Sequence, residues 1–227
     1  MKKVYAVVHI ADMGQAMSNV YVAKEAGCDG VFLISHGDVS VWKTFEFVRR
    51  YGPEFWVGVN DLRGGMVESL AIAASYRKDG DGSRPPDGIW TDHAGISDNA
   101  PIVQPIANYD ELKEILPDTQ YFGGVAFKYQ GPVTDVRLAA ANATHAMDVV
   151  VTSGEATGDP PSLIKIQRMH EGCGNKLGVA SGITPENVNL YLPYVSHFLV
   201  ATGISRDFHT LDLDRTAQLV KIVRDFS

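Results

Sequence analysis

Four side chains in this sequence could act at a reacting centre: Lys128, Asp92, His36 and Glu155. A lysine at a pocket mouth can neutralise a phosphate, donate a proton, or form a Schiff base where burial lowers its pKa. His36 with Asp38, Asn60 with Asp61, and Asp92 with His93 offer general acids and bases, or oxygen and nitrogen ligands for a divalent metal. None of these pairs has diagnostic metal spacing. No metal site is therefore assigned and no cofactor is expected, with a divalent ion left as the open alternative. His9, Thr152, Ser153 and Thr157 add polar groups suited to substrate contacts. The remaining histidines, His145, His170, His197 and His209, fall in predicted helices or at strand entrances and read as structural.

Two glycine turns offer a place for an anion. Leu177 to Asn187 reads as a strand, a small-residue turn at Ser181-Gly182 and a helix start at Thr184-Pro185-Glu186. Gly182 lets backbone approach a ligand closely, and the following amides point outward. Thr202-Gly203 supplies a second such turn, so Ser181, Gly182, Thr202 and Gly203 are the candidate phosphate-binding residues. The apolar run Val149 to Val151 followed by Thr152-Ser153-Gly154-Glu155-Ala156-Thr157-Gly158 looks superficially like the pyrophosphate loop of phosphoribosyltransferases. It lacks the two adjacent acidic residues those enzymes place directly after the apolar run.

These residues need a scaffold that gathers them. Eight short, mostly unalternating apolar runs are predicted as strands covered on both faces: 4–10, 30–35, 55–59, 88–91, 122–127, 148–152, 177–180 and 198–201. Helical stretches follow at 13–26, 41–51, 66–76, 109–116, 134–146, 162–171, 185–192 and 213–226. Asn108 or Asp110 is expected to cap the fourth of these, and Thr184 the seventh. The turn after the first strand, His9 to Gly14, has no GxGxxG fingerprint, which disfavours an open dinucleotide-binding sheet. The units close most simply into an α/β fold, a single-domain (β/α)8 TIM barrel spanning residues 1–227. Barrel closure would bring the strand ends to one mouth, where Lys128 is the only lysine expected. Residues 94–107 form the longest connection there, a candidate lid. The polar stretch from Lys78 to Asp87 is expected on the opposite face.

Composition excludes several classes. Twenty Lys plus Arg against 27 Asp plus Glu leave a net charge of -7, so no broad basic surface can neutralise a nucleic acid. Asp12 cuts short the apolar run behind Lys2-Lys3, and no apolar window is long enough for a secretory or membrane-spanning segment. The two cysteines, Cys28 and Cys173, stand before predicted strands, away from the mouth, and fit a reducing cytoplasm.

The segments Val8-His9, Ala26-Gly27-Cys28-Asp29-Gly30-Val31, Thr152 to Gly158 and, most specifically, Ser181-Gly182-Ile183-Thr184-Pro185-Glu186-Asn187-Val188 carry a family likeness. On them, and on Lys128, the sequence resembles the BtpA family, also known as BtpA/SgcQ-like proteins. It departs where a Leu-Pro-Gly segment is replaced by Ala11-Asp12-Met13-Gly14, and where a Gly-Thr turn with a nearby lysine becomes Ala201-Thr202-Gly203 with Arg206. The resemblance implies a ribulose-phosphate-binding type barrel, a predicted enzyme whose relatives include some linked to photosystem I biogenesis. The leading expectation is a cytoplasmic, homo-oligomeric enzyme acting on a small phosphorylated metabolite by isomerisation, carbon-carbon cleavage or glycosyl transfer. Its rivals are a noncatalytic assembly factor and a true phosphoribosyltransferase.

Overall fold

A computed structural model describes residues 1–76, 84–99 and 101–226. The part of the polar stretch from Lys78 to residue 83 lies outside them. Eight parallel strands form the sheet: β1 (Lys3–His9), β2 (Gly30–Ile34), β3 (Val57–Asn60), β4 (Gly88–Thr91), β5 (Gln120–Gly124), β6 (Val149–Thr152), β7 (Leu177–Ala180) and β8 (His197–Val200). Each pairs with the next, and β8 returns to β1 through the register Lys3 with His197, so the ring is closed. The outer layer contains α1 (Met13–Glu25), α2 (Val41–Tyr51), α3 (Met66–Ser75), α4 (Val103–Ile115), α5 (Val136–Ala143), α6 (Leu163–Cys173) and α7 (Leu213–Asp225). This is the expected (β/α)8 barrel. No helix among the described residues is long and apolar enough to cross a membrane.

Local chemistry sets the helix starts. Asp12, Ser40, Asp135, Ser162 and Asp212 accept hydrogen bonds from amides of the first turns of α1, α2, α5, α6 and α7. Caps of this kind contribute about 1 kcal/mol each.

Three elements differ from expectation. Residues 185–192 form only a short 3-10 turn at Val188–Leu190. Thr184 Oγ1 does accept the Glu186 amide, but Asn187 accepts the Thr184 amide and donates to the Gly182 carbonyl at 2.8 Å. The motif thus closes on itself as a turn. The fourth helix starts at Val103, ahead of Asn108 and Asp110, and has no side-chain cap. That shortens the supposed lid, which is also pinned: Ile96 is buried, and Asp98 accepts from the Thr134 and Asp135 amides. Finally, β5 ends at Gly124 because Ala126 and Tyr129 have positive φ (46° and 63°). Lys128 therefore sits on a turn beyond the strand.

Side chains alternate between the bore and the helix layer, as the strand pleat requires. Val4, Ala6 and Val8 of β1 join the outer core, while Tyr5 and Val7 join the inner one. The N-terminal half of the bore is filled by aromatic rings. Phe32 lies 5.7 Å from Tyr5, 5.1 Å from Trp56 and 4.9 Å from Phe122 between ring centroids, in edge contacts. Gly30, Gly58 and Gly88 make room for this plug: a Cβ on Gly30 or Gly88 would stand 2.6 or 2.5 Å from the Trp56 ring, and one on Gly58 2.4 Å from Phe32. Phe32 is fully buried, so Phe32→Ala is expected to cost about 3 to 5 kcal/mol. Urea denaturation monitored by circular dichroism would measure that loss.

Candidate functional site

Above the aromatic plug the inward positions become polar. By strand parity His9, Asn60 and Asp92 follow Val7, Gly58 and Trp90 into the mouth. His9 and Asn60 are buried. His36, beyond β2, stacks on His9 with 5.0 Å between centroids, and its Nε2 lies 3.0 Å from His9 Nδ1. Asn60 Nδ2 donates to Asp92 Oδ1 at 2.9 Å. Gly124 lets the chain after β4 come close, since a Cβ there would stand 2.0 Å from the Asp92 carbonyl oxygen.

These groups share one electrostatic environment. Burial, reinforced by the charges of His36, Lys128 and His209, pushes the His9 imidazole down to about 4. Burial and then the Lys128 charge also lower His36, while Asp92 pulls it the other way. Burial raises the Asp92 carboxyl, opposed by the Asn60 hydrogen bond and by the charges of Lys128 and His36. His9 is thus a neutral imidazole at neutral pH, able to pass a proton across its short contact with His36.

Several other candidates have different roles. The Lys128 ammonium donates to Thr157 Oγ1 at 3.2 Å, and its amide donates to Ser153 Oγ at 2.8 Å. Ser153 is fully buried and holds this turn. Thr152 was expected to touch substrate, but parity turns it toward the helix layer, where its hydroxyl donates to the Ala126 carbonyl. Asp38 is fully exposed on loop two and lies 3.9 Å from Arg63. Glu155 is exposed on loop six and acts electrostatically on Lys165.

Sequence reasoning missed four participants. Lys165 of α6 is a second lysine near the mouth, donating to the Ala126 and Ser153 carbonyls. Burial lowers it to about 8. Gln130 binds the carbonyls of Asp92 and Gly124. Phe208 packs 4.2 Å from the His9 ring, and His209 Nδ1 lies 3.0 Å from the His9 carbonyl. Only the Gly203 to Thr210 loop, polar and aromatic after the last strand, could have hinted at the last two.

Loops seven and eight adjoin. A Cβ on Gly203 would lie 1.9 Å from the Ile183 carbonyl oxygen, and one on Gly182 2.1 Å from the Pro160 amide nitrogen. Gly182 also needs its positive φ of 66°. The Ser181 hydroxyl is occupied between the Gly158 amide and the Ala156 carbonyl. Among the described residues, and outside the helices and strand ladders, the amides of Gly182, Thr202 and Gly203 donate to no backbone carbonyl. The described residues contain no cluster of three or more histidines, cysteines or carboxylates placed to hold a metal. Cys28 and Cys173 are free and buried, each pushed up to about 12 chiefly by burial.

No protein-family model matches the chain. An uncharacterised protein of Pyrococcus abyssi is 24% identical over 93% of this chain and 86% of its own. An uncharacterised protein of Thermococcus kodakarensis is 26% identical over 92% and 85%. Among solved structures, phosphoribosyl anthranilate isomerase from Thermus thermophilus superposes with a TM-score of 0.68 at 12% identity, covering 99% of this chain and 100% of that one. A native KDPGal structure gives 0.66 at 15% identity, covering 98% and 95%. Thiamine phosphate pyrophosphorylase from Pyrococcus furiosus gives 0.62 at 17%, covering 99% and 96%. The chain shares the barrel architecture of these proteins.

The buried imidazole makes stability depend on pH. With a folded value near 4 against about 6.5 when unfolded, His9 binds its proton first in the unfolded state. Stability is therefore lost as pH falls from about 6.5 toward 4, by at most about 3 kcal/mol from this group. Asp92, raised in the fold, contributes in the opposite sense, losing stability as pH rises through its folded value. Melting curves of wild type and His9→Gln from pH 7 to pH 4 should converge as the pH falls; a constant gap would refute the assignment.

Proposed function

We propose that this barrel is an enzyme that moves a proton on a small phosphorylated, sugar-derived metabolite. The observation that carries the reading is the division of one mouth into two halves. One half gathers the acid and base groups His9, His36 and Asp92, of which His9 is buried, Asp92 half-buried and His36 exposed at the rim. The other brings two glycine turns into backbone contact, with amides that donate to no carbonyl outside the helices and strand ladders. The amides of Gly182, Thr202 and Gly203 would hold the phosphate, as turn and helix-end amides do for anions. The absence of a full helix after loop seven removes a macrodipole contribution there, so these amides and the Lys128 ammonium would balance the charge. The Ser181 hydroxyl, already engaged, would shape the turn and leave the phosphate to the amides.

Asp92 suits the role of base or acid because its burial brings its proton affinity toward that of a carbon acid's partner in catalysis. His36 and His9 would shuttle the proton at the neighbouring oxygen. Among the reactions open at the sequence level, isomerisation fits this set best. A Schiff-base route wants a desolvated, unengaged amine, and Lys165, a lysine near the mouth whose pKa burial lowers, is committed to two backbone carbonyls. The printed identity of the Thermus neighbour, a phosphoribosyl anthranilate isomerase, supports the same reading by analogy of fold. We read the chain further as a divergent BtpA-like protein on its Ser181 to Val188 segment, and as a cytoplasmic homo-oligomer; two buried free thiols suit a reducing compartment.

Inorganic phosphate near one hundred times its Kd is expected to stabilise the fold by about 2.7 kcal/mol, read as a rise in Tm. Thr202→Glu, an exposed position, should abolish that rise by placing a carboxylate at the cradle. With a turned-over phosphometabolite, Asp92→Asn should retain binding and lose at least about 100-fold in kcat. No Tm response to phosphate or to a phosphometabolite panel would refute the proposal.

A further inference from the structure

Two buried polar atoms in the bore have no partner among the described residues: Asn60 Oδ1 and Trp90 Nε1. Asn60 is 1% exposed and Trp90 4%. They are register partners on adjacent strands, and both follow the inward parity of Gly58 and Gly88. Trp90 is wedged between Phe32 and Phe127, with centroids 5.5 and 6.1 Å away, so its indole has little freedom to turn. Asn60 is fixed at its other end by the bond from Nδ2 to Asp92, which leaves its amide oxygen as a free acceptor. Buried donors and acceptors are nearly always paired, so an unpaired donor and an unpaired acceptor on register-paired inward positions mark a place for a group that can do both.

We propose that Asn60 and Trp90 form a donor–acceptor pair that reads a hydroxyl of the substrate, which assigns the ligand to the polyhydroxylated sugar phosphates. A hydroxyl donates one proton and accepts another, matching Asn60 Oδ1 and Trp90 Nε1–H together. A carboxylate there would leave the Asn60 oxygen facing an acceptor, and a methyl group would leave both atoms unpaired. The location suits the class too. Strands β3 and β4 stand opposite β7 and β8 in the eight-membered ring, so a ligand with its phosphate at loops seven and eight extends its far hydroxyl toward this pair. Asp92, bonded to Asn60, then faces the carbon next to that hydroxyl. This inference rests on the proposed phosphate-binding reading but can fail independently of it.

The test is calorimetric titration of wild type, Trp90→Phe and Asn60→Leu with inorganic phosphate and with a panel of open-chain pentose and hexose phosphates. Trp90→Phe keeps an aromatic ring in the plug while removing the pyrrole portion that carries the N–H, so it serves even if Asn60→Leu folds poorly. Wild type is expected to bind at least one sugar phosphate at least tenfold more tightly than inorganic phosphate. Trp90→Phe should cut that preference by about tenfold, the loss of one hydrogen bond, while leaving the affinity for inorganic phosphate unchanged. A preference unaltered by Trp90→Phe, or no preference in wild type, overturns the proposal, and in that case retained phosphate binding leaves the cradle standing. Sugar-phosphate binding that depends on Trp90 without any affinity for inorganic phosphate upholds the hydroxyl pair and removes the cradle.

Discussion

Ring closure governs everything else in this molecule. Once β8 pairs with β1, each strand has its alternate residues fixed either in a dry bore or under the helices, and none can turn without moving its neighbours. The bore is narrow, so its contents must be chosen by size. Trp56 and the rings of Tyr5, Phe32 and Phe122 fill one half, against three glycines whose missing side chains make the space. The packing fills the N-terminal half of the bore and leaves the polar strand ends at the other.

That arrangement explains how ionisable groups can be buried at the mouth. Placing Asp92, His9 and His36 there strips part of their hydration, most of all from the buried His9, and their pKa directions record the cost. The protein offsets part of it with the Asn60 bond to Asp92, the His9–His36 contact and the Lys128 charge nearby. Side-chain bonds from Gln130 and Lys165 to backbone carbonyls tie together the turns after β4, β5 and β6. The acid–base groups therefore hang from a mesh of loop carbonyls that no single loop could build.

The glycine turns follow the same logic of close approach. Gly182 and Gly203 are required because backbone from a neighbouring loop occupies the place a side chain would take. Loops six, seven and eight are consequently held in contact, and loop six is fastened to loop seven through Ser181. The motif around Thr184 to Asn187, which reads locally as a helix start, spends its hydrogen bonds on keeping that turn shut.

Much of this was legible from residue order. Eight apolar runs separated by helical spacing imply the barrel, and the polar residues after each run imply a mouth that includes His9, His36, Asn60, Asp92 and Lys128. Local signals misled where tertiary contacts override them: the seventh helix shrank to one turn, β5 ended early at two residues with positive φ, and Thr152 fell on the wrong parity for substrate. Lys165 and Trp90 carried no sequence signal and Phe208 and His209 only the character of their loop, because each acquires its role by meeting a residue far along the chain, as His209 meets His9. Period and composition are local properties, so the chain order alone determined the eight strand positions, most of the helices and the ring they imply. Which side chains share a dielectric and which polar atoms stay unpaired depends on distances across the barrel, and only the folded structure decides those.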